Sequence, residues 1–84
     1  MHIEHDPARH RFSTTVEGYV GEIDYRLADN VMTITHTAVP EAIAGRGIAA
    51  ALMRNALGHA RAQGWTVVPA CSYAIAFMKR YPDQ

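Results

Sequence analysis

Hydrophobic and polar residues alternate along the first half of the chain with the two-residue period of β-strands. Residues 9–16 predict a first strand, residues 19–27 alternate most clearly and predict a second, and residues 31–38, rich in threonine and β-branched residues, predict a third. Only residues 17–18 and 28–30 separate these strands, and both segments contain residue types that favour tight turns. We therefore expect an antiparallel three-stranded meander.

The pattern changes after the third strand, where the apolar residues take up helical spacing. Residues 41–46 predict a loop, and residues 47–63 predict a long helix that Gly64 ends. A short apolar strand follows at residues 65–68, and residues 74–80 predict a final helix of one or two turns. The order β-β-β-α-β-α indicates a fold of the α+β class.

The composition favours a single packed domain. Hydrophobic residues make up 49% of the 84 positions and charged residues 19%, which argues against disorder. We expect residues 1–84 to form one domain in which residues 1–8 are a flexible N-terminus without the layout of a signal peptide.

The charges and the single cysteine restrict the partners and the compartment. Eight basic and eight acidic residues cancel, which argues against a nucleic-acid partner, because binding to a phosphate backbone needs a surplus of lysine and arginine. No apolar run approaches the ~20 residues of a membrane span. Cys71 has no internal disulfide partner, as is typical of a reducing cytoplasm. We expect a cytoplasmic protein that binds neither nucleic acid nor membrane, and the oligomeric state stays open.

Two glycines precede the predicted long helix. Gly45 and Gly47 flank Arg46, and glycines here allow a tight turn and close approach of a bulky ligand to backbone N–H groups. The first N–H groups of a helix lack internal partners and lie at the positive end of its dipole, so this loop suits a phosphate or pyrophosphate. The loop lacks the Gly-Lys-Ser/Thr of a P-loop and the third glycine of the dinucleotide fingerprint. A flexible loop without a ligand is the alternative.

Two motifs in the second half resemble those of a known family. Residues 44–49, Ala-Gly-Arg-Gly-Ile-Ala, resemble the Gln/Arg-x-x-Gly-x-Gly/Ala loop of the GNAT superfamily of N-acetyltransferases, with Ala44 where Gln or Arg is usual. Residues 67–73, Val-Val-Pro-Ala-Cys-Ser-Tyr, and the later Pro82-Asp83 pair resemble the ending of the compact GNAT-like N-acetyltransferases (the YjdJ type). The resemblance runs from about residue 19 to residue 83, and it implies a minimal GNAT fold.

The resemblance also implies an activity and a role for each matching residue. The implied reaction transfers an acetyl group from acetyl-CoA, without a metal, to an amine acceptor that the sequence does not identify. The backbone of residues 36–39 would pair with pantetheine, the glycine loop would hold the pyrophosphate of coenzyme A, and Cys71 would be the catalytic residue at the thioester end. The implied cofactor-binding residues are Thr37, Ala38, Val39, Gly45, Arg46, Gly47, Ile48, Ala49, Ser72 and Tyr73.

Several of these residues also have a purely structural interpretation. Cys71 is a candidate nucleophile or proton donor, and equally a candidate buried thiol of the core. Ser72 suits the N-cap of the final helix, and Tyr73 suits packing against the core. His36, at the end of the third strand, is a candidate base for an amine, although a structural role is commoner for such a histidine.

The remaining titratable residues predict no site of their own. His2, His5 and His10 are irregularly spaced in the N-terminal segment and do not have the spacing of a metal site. His59 comes late in the long helix, where a cation suits the helix dipole. Glu22 and Asp24 share one face of the second strand, and we expect that face to be exposed to solvent.

Three functions are therefore compatible with the sequence. The first is a small acetyltransferase in which Cys71 acts as nucleophile or acid. The second is a non-catalytic module that binds coenzyme A or has a regulatory role. The third is a small protein-interaction domain.

Overall fold

The structure, a computed structural model, describes residues 1–82. Its strands are β1 (Glu4–Asp6), β2 (Arg11–Val16), β3 (Tyr19–Ala28), β4 (Val31–Ala38) and β5 (Thr66–Pro69). Its helices are a short 3-10 helix (Glu41–Ile43), α1 (Ile48–Gln63) and α2 (Ser72–Arg80). Asp83, which belongs to the family resemblance, lies outside the described residues. This arrangement of strands and helices confirms the predicted α+β class.

The strands form one mixed sheet in the order β1-β2-β3-β4-β5. Strands β1 to β4 are each antiparallel to the next, whereas β5 runs parallel to β4 because α1 crosses over between them. The predicted meander is confirmed at both of its turns. Glu17 and Gly18 in the first turn, and Asp29 and Asn30 in the second, all have positive φ, as two-residue hairpins of type I′ require.

The hydrophobic core lies between α1 and one face of the sheet, and two residues of α2 join it. Gly21 in β3 lets α1 approach closely, since a Cβ at this position would lie 3.0 Å from Cγ2 of Ile48. The buried apolar residues are Phe12, Ile23, Tyr25, Met32, Ile34, Ile43, Ile48, Leu52, Met53, Ala56, Leu57, Ala60, Ala74 and Phe77.

The N-terminal segment differs from its prediction. Residues 1–8 are expected to be flexible, but Glu4–Asp6 form an edge strand that pairs with β2. His5 holds this strand in place, since its ring stacks on Phe12 with centroids 4.1 Å apart and its Nε2 lies 2.6 Å from Oη of Tyr25. Thr14 adds a hydrogen bond from its hydroxyl to the carbonyl of His2. The sequence does not indicate this strand for two reasons. Three residues are too few to show an alternation of apolar and polar side chains, and the contacts that hold the strand are with residues outside it.

Two boundaries in the second half also differ. The predicted loop contains the short 3-10 helix, which inserts Ile43 fully into the core. The predicted strand ends at residue 68, whereas β5 continues to Pro69, opposite Ile34. Proline is tolerated there because β5 is an edge strand and needs no further donor on its outer side. No helix within residues 1–82 is long and apolar enough to cross a membrane.

Candidate active site

The strands β4 and β5 separate halfway along β4. Their pairing ends at Ile34 and Pro69, with one further hydrogen bond from the N–H of Ala70 to the carbonyl of Ile34. In contrast, β4 pairs with β3 as far as Ala38. One backbone edge of residues 36–38 therefore borders a gap beside β5. This edge belongs to Thr37 and Ala38, two of the residues implied to bind the cofactor.

A β-bulge decides which side chains of β4 face this gap. Asp24 pairs with His36 and Tyr25 pairs with Ile34, so Thr35 is an extra residue without its own partner. Beyond the bulge, Thr37 lies opposite the buried Ile23 and shares its face of the sheet. Strict alternation along β4 would instead have placed Thr37 on the open face together with Thr35. The bulge is the reason that Thr37 lies on the same face of the sheet as the buried Ile23.

His36 and the acidic residues of β3 lie on the opposite, open face of the sheet. His36 is exposed beside Asp24. Arg11 pairs with both acidic residues, at 2.6 Å to Asp24 Oδ1 and 3.0 Å to Glu22 Oε2. Glu22 and Asp24 are thus partly buried in an ion-pair network and not simply exposed to solvent as predicted. The structure does not bring His36 to the face on which Thr37 lies.

Cys71 joins β5 to α2 and lies beside Thr37. Its sulfur is 3.5 Å from Oγ1 of Thr37 and accepts the N–H of Ala74 at 3.4 Å. Cys71 is therefore the N-cap of α2, and Ser72 is the first helical residue and not the cap that its type suggests. The helix also begins two residues earlier than predicted. The half-buried sulfur thus lies at the positive end of a helix dipole, where negative charge is favoured.

The glycine loop has an open geometry at the start of α1. Gly45 has φ +78° and Gly47 has φ +75°, and a Cβ at either position would have no atom within 4 Å. Gly47 is the N-cap of α1, where no described side chain caps the helix and no acidic residue occupies the first turn. The first N–H groups of α1, including those of Ile48 and Ala49, are therefore available to an anion.

Arg46 is engaged by an acidic side chain and not by the helix terminus. Its guanidinium pairs with the carboxylate of Glu17, which lies in the hairpin turn between β2 and β3. The sequence places Arg46 in the anion site as an additional donor, but gives no indication of a partner 29 residues away. Both side chains are largely exposed, so this pair is accessible to solvent ions.

An aromatic cleft lies beside the first turn of α1. It has a volume of about 270 Å³ and is lined by Ala50, Tyr73, Ala76, Phe77, Arg80 and Tyr81. Burial raises the pKa of Tyr73 above its ordinary value. The side chain of Arg80 donates to Oη of Tyr81 at 3.0 Å and lowers the pKa of that phenol. The combination of aromatic rings and a guanidinium suits a planar, anionic ligand.

The sequence-based prediction includes only Tyr73 among the residues of this cleft. Arg54 of α1 also lies close to it, with its guanidinium 5.5 Å from the ring centroids of both Phe77 and Tyr81. The sequence feature that could have indicated this cleft is the adjacent pair of Arg80 and Tyr81 at the end of the last helix. Basic residues there have an ordinary explanation in the helix dipole, so the signal is weak.

A comparison with protein families assigns the chain. A family model described as GCN5-related N-acetyl-transferase matches residues 11–84, which is most of the sequence. The chain belongs to this family. The fold of this GCN5-related N-acetyltransferase also resembles the NMR solution structure of a GCN5-like candidate N-acetyltransferase from Staphylococcus aureus. That match has a TM-score of 0.74 and 25% identity, and covers 94% of this chain and 78% of the other. A comparison with curated proteins gave no significant match.

Enzymes of the GCN5-related family use acetyl-CoA, and the described residues fit parts of this molecule. The glycine loop offers N–H groups and space free of Cβ atoms, the β4 edge offers backbone groups, and the cleft offers aromatic faces. A larger open depression of about 610 Å³ lies between β1, β2 and their connecting turn, and none of the predicted site residues lines it. Residues 1–82 contain no group of three or more side chains arranged to hold a metal ion.

Proposed function

We propose that the chain binds acetyl-CoA along the gap between β4 and β5 and transfers the acetyl group to an amine, with Cys71 taking part in the transfer. The position of the Cys71 sulfur supports this most directly. It contacts Thr37, whose backbone borders the gap, and it also caps α2. The thiol therefore lies beside a residue that borders the gap and next to two hydrogen-bonding groups.

Each part of the ligand has a set of residues suited to it. The backbone edge of Thr37, Ala38 and Val39 suits the amide groups of pantetheine, since strand edges bind extended chains through backbone hydrogen bonds. The glycine loop and the first N–H groups of α1 suit the pyrophosphate. We assign the adenosine end to the cleft lined by Tyr73 and Tyr81, because aromatic rings stack on purines and Arg80 supplies a cation.

When bound, acetyl-CoA supplies the acetyl group as a thioester. As a nucleophile, the Cys71 sulfur would bond to the acetyl carbon while the carbon–sulfur bond to coenzyme A breaks, and the cysteine's proton would pass to the leaving sulfur. An amine would then take the acetyl group and return a proton to Cys71. As an acid, Cys71 would protonate the leaving sulfur while the amine attacks directly, and the cysteine thiolate would then take the proton that the amine nitrogen loses. Both routes need the sulfur beside the gap.

The first experiment measures binding. Acetyl-CoA at 100 times its dissociation constant should stabilise the folded chain by about 2.7 kcal/mol, because it binds only the native state. For a domain of this size, that corresponds to a rise of roughly 10 °C or more in the melting temperature. An unchanged melting temperature across a concentration series up to the millimolar range would remove the basis of the proposal.

A matched pair of glycine variants tests the position of the pyrophosphate. Gly47 and Gly64 both have φ +75° and open space around the missing Cβ, so an alanine at either position costs about 1 kcal/mol in backbone strain. Only Gly47 belongs to the glycine loop. We expect Gly47→Ala to weaken binding of coenzyme A about tenfold or more in calorimetric titration, and Gly64→Ala to leave it unchanged. Equal affinities for the two variants would contradict the placement.

The role of Cys71 is tested by mass spectrometry of the intact chain after incubation with acetyl-CoA. An added acetyl group that disappears in Cys71→Ser, and that moves to an added amine, supports the nucleophilic route. Amine acetylation without acetylation of Cys71, but dependent on it, supports the acid route. Binding without any transfer would instead favour the second candidate function, a non-catalytic module for coenzyme A.

A further inference from the structure

The ion pair between Glu17 and Arg46 connects the β2–β3 turn to the glycine loop, and neither segment depends on this pair for its conformation. Glu17 is the first residue of the β2–β3 hairpin turn, with φ +52°, and Arg46 lies between the two glycines of the loop. The hairpin is already fixed by the ladder that pairs Val16 with Tyr19. The pair therefore places a carboxylate beside the proposed pyrophosphate site without being required to close the turn.

The pair has the properties of a contact that can be exchanged. The side chain of Glu17 is 63% exposed and that of Arg46 is 45% exposed, so water and ions reach both groups. Ion pairs with this exposure contribute little to stability. A carboxylate and a phosphate can both bind a guanidinium through two hydrogen bonds, but a pyrophosphate carries two negative charges and Glu17 carries one. A pyrophosphate that reached the loop would thus be the stronger partner for Arg46.

The start of α1 has no acidic or capping partner among the described side chains. Its first turn holds no acidic residue, and no side chain of residues 1–82 caps it. Glu17 is bound to the arginine next to the helix's N-cap and not to the helix itself. Glu17 thus pairs with Arg46 and does not bind the N–H groups at the start of α1.

We propose that Glu17 is an internal competitor for the pyrophosphate of coenzyme A, holding Arg46 in the free protein and releasing it when the ligand binds. This inference rests on the proposed function, because it needs the pyrophosphate to occupy the glycine loop. Glu17 thereby sets the affinity for coenzyme A: the ligand must displace the carboxylate before Arg46 becomes available. The competition limits how tightly the product, free coenzyme A, is retained.

The test is a double-mutant cycle on the dissociation constant of coenzyme A, measured by calorimetry in the full chain. Loss of an exposed ion pair corresponds to an affinity change of about two- to fivefold. We expect Glu17→Gln to tighten binding by this factor and Arg46→Gln to weaken it. In the Arg46→Gln background, Glu17→Gln should have no effect, because no arginine remains to be released.

A second glutamate provides the charge-matched control. Glu41 is exposed in the 3-10 helix that leads into the same loop, so Glu41→Gln removes the same charge without breaking the pair. We expect little change in affinity from it. Dephospho-coenzyme A, which keeps the pyrophosphate but lacks the 3′-phosphate, should show the same gain with Glu17→Gln. A gain that is lost with this ligand would overturn the inference, because Arg46 would then contact the 3′-phosphate.

The outcomes separate the inference from the proposed function. If the chain does not bind coenzyme A, the proposed function fails and the inference fails with it. If the chain binds but Glu17→Gln leaves the affinity unchanged, only the inference is overturned. The same holds if Glu41→Gln tightens binding equally, or if the gain from Glu17→Gln persists without Arg46, since general charge repulsion then explains it.

Discussion

Cys71 has two structural neighbours that bear on its chemistry. Its sulfur accepts the N–H of Ala74 as the cap of α2, and it contacts the hydroxyl of Thr37 across the gap. The first contact stabilises a helix and the second is a candidate for positioning a reactive group. A loss of activity after changing Cys71 is therefore ambiguous unless stability is measured as well.

Serine and alanine at position 71 separate the two contributions. Serine keeps an acceptor for the N–H of Ala74, whereas alanine leaves the helix uncapped and should lower the free energy of unfolding by about 1 kcal/mol. We expect Cys71→Ser to unfold at nearly the wild-type urea concentration and Cys71→Ala at a clearly lower one. Acetylation at position 71 should be absent from both. Equal stability of the two variants would show that the sulfur does not act as a cap.

The sequence indicates candidate site residues, whose roles stay predictions, but it does not indicate all of their contacts. Cys71 and the glycine loop were predictable because their motifs are contiguous and their backbone demands are local. The contact of Thr37 with Cys71 was not, because a bulge shifts the alternation of β4 by one residue. The pairing of Arg46 with Glu17 joins positions far apart in sequence, and no local pattern indicates it.

Two glycines of α1, Gly58 in its interior and Gly64 at its end, differ in whether their backbone conformation requires glycine. Gly64 ends the helix with φ +75° and donates its N–H to the carbonyls of Ala60 and Arg61. Gly58 lies in the helix interior, where a Cβ would meet no atom within 4 Å. Of these two glycines, only Gly64 has the left-handed conformation.

Alanine substitutions at these glycines should have opposite effects on stability. Gly58→Ala should raise the free energy of unfolding by about 0.5–1 kcal/mol, because alanine favours the helix and the space is open. Gly64→Ala should lower it by about 1 kcal/mol through backbone strain. Urea denaturation measures both. A destabilising Gly58→Ala would mean that the interior of α1 has no room for the added methyl group.

The elements whose own residues favour their conformation were predicted, whereas those that depend on contacts with other segments or on an uncommon cap were not. The hairpins were predictable because Gly18, Asp29 and Asn30 favour positive φ, and α1 because its apolar period and Gly64 agree. The strand β1 was missed because it has three residues and depends on the contact of His5 with Phe12. The start of α2 was misplaced because cysteine is an uncommon cap and Ser72 a common one.

At the scale of the whole molecule, a cluster of aromatic and histidine rings packs the N-terminal strand β1 against α1. His5 stacks on Phe12, and its ring lies 4.5 Å from that of His59 in α1. His59 also meets Trp65 edge-on at 5.2 Å. The role of His59 is therefore packing across the sheet more than the dipole interaction predicted from its position. The N-terminal strand is therefore packed against the core and is not independent of it.

This cluster makes stability depend on pH. Burial, followed by the nearby His59, lowers the pKa of His5, with His10 acting in the same direction, Asp6 against it and Tyr25 as the hydrogen-bond partner. The folded state thus favours the neutral ring. Its contribution to stability is complete above the unfolded pKa, about 6.5, and is lost as the pH falls through that value towards the lower folded pKa.

Urea denaturation between pH 8 and pH 5 tests this dependence. The free energy of unfolding of the wild-type chain should fall towards acid, and His5→Gln, which cannot take up a proton in this range, should reduce the fall. His2→Gln removes an exposed histidine outside the cluster and should leave the fall unchanged. If His5→Gln and wild type lose stability in parallel, the dependence comes from other groups.

The bulge at Thr35 gives β4 an unequal tolerance of insertions and deletions. Deleting Thr35 restores regular pairing, with His36 still opposite Asp24 and Thr37 still opposite Ile23. An alanine inserted after His36 would move Thr37 out of phase and turn its hydroxyl away from Cys71. We expect the deletion to retain binding of coenzyme A and the insertion to lose it. Over evolutionary time, β4 can therefore shorten by one residue without losing the candidate site, but it cannot lengthen at this point.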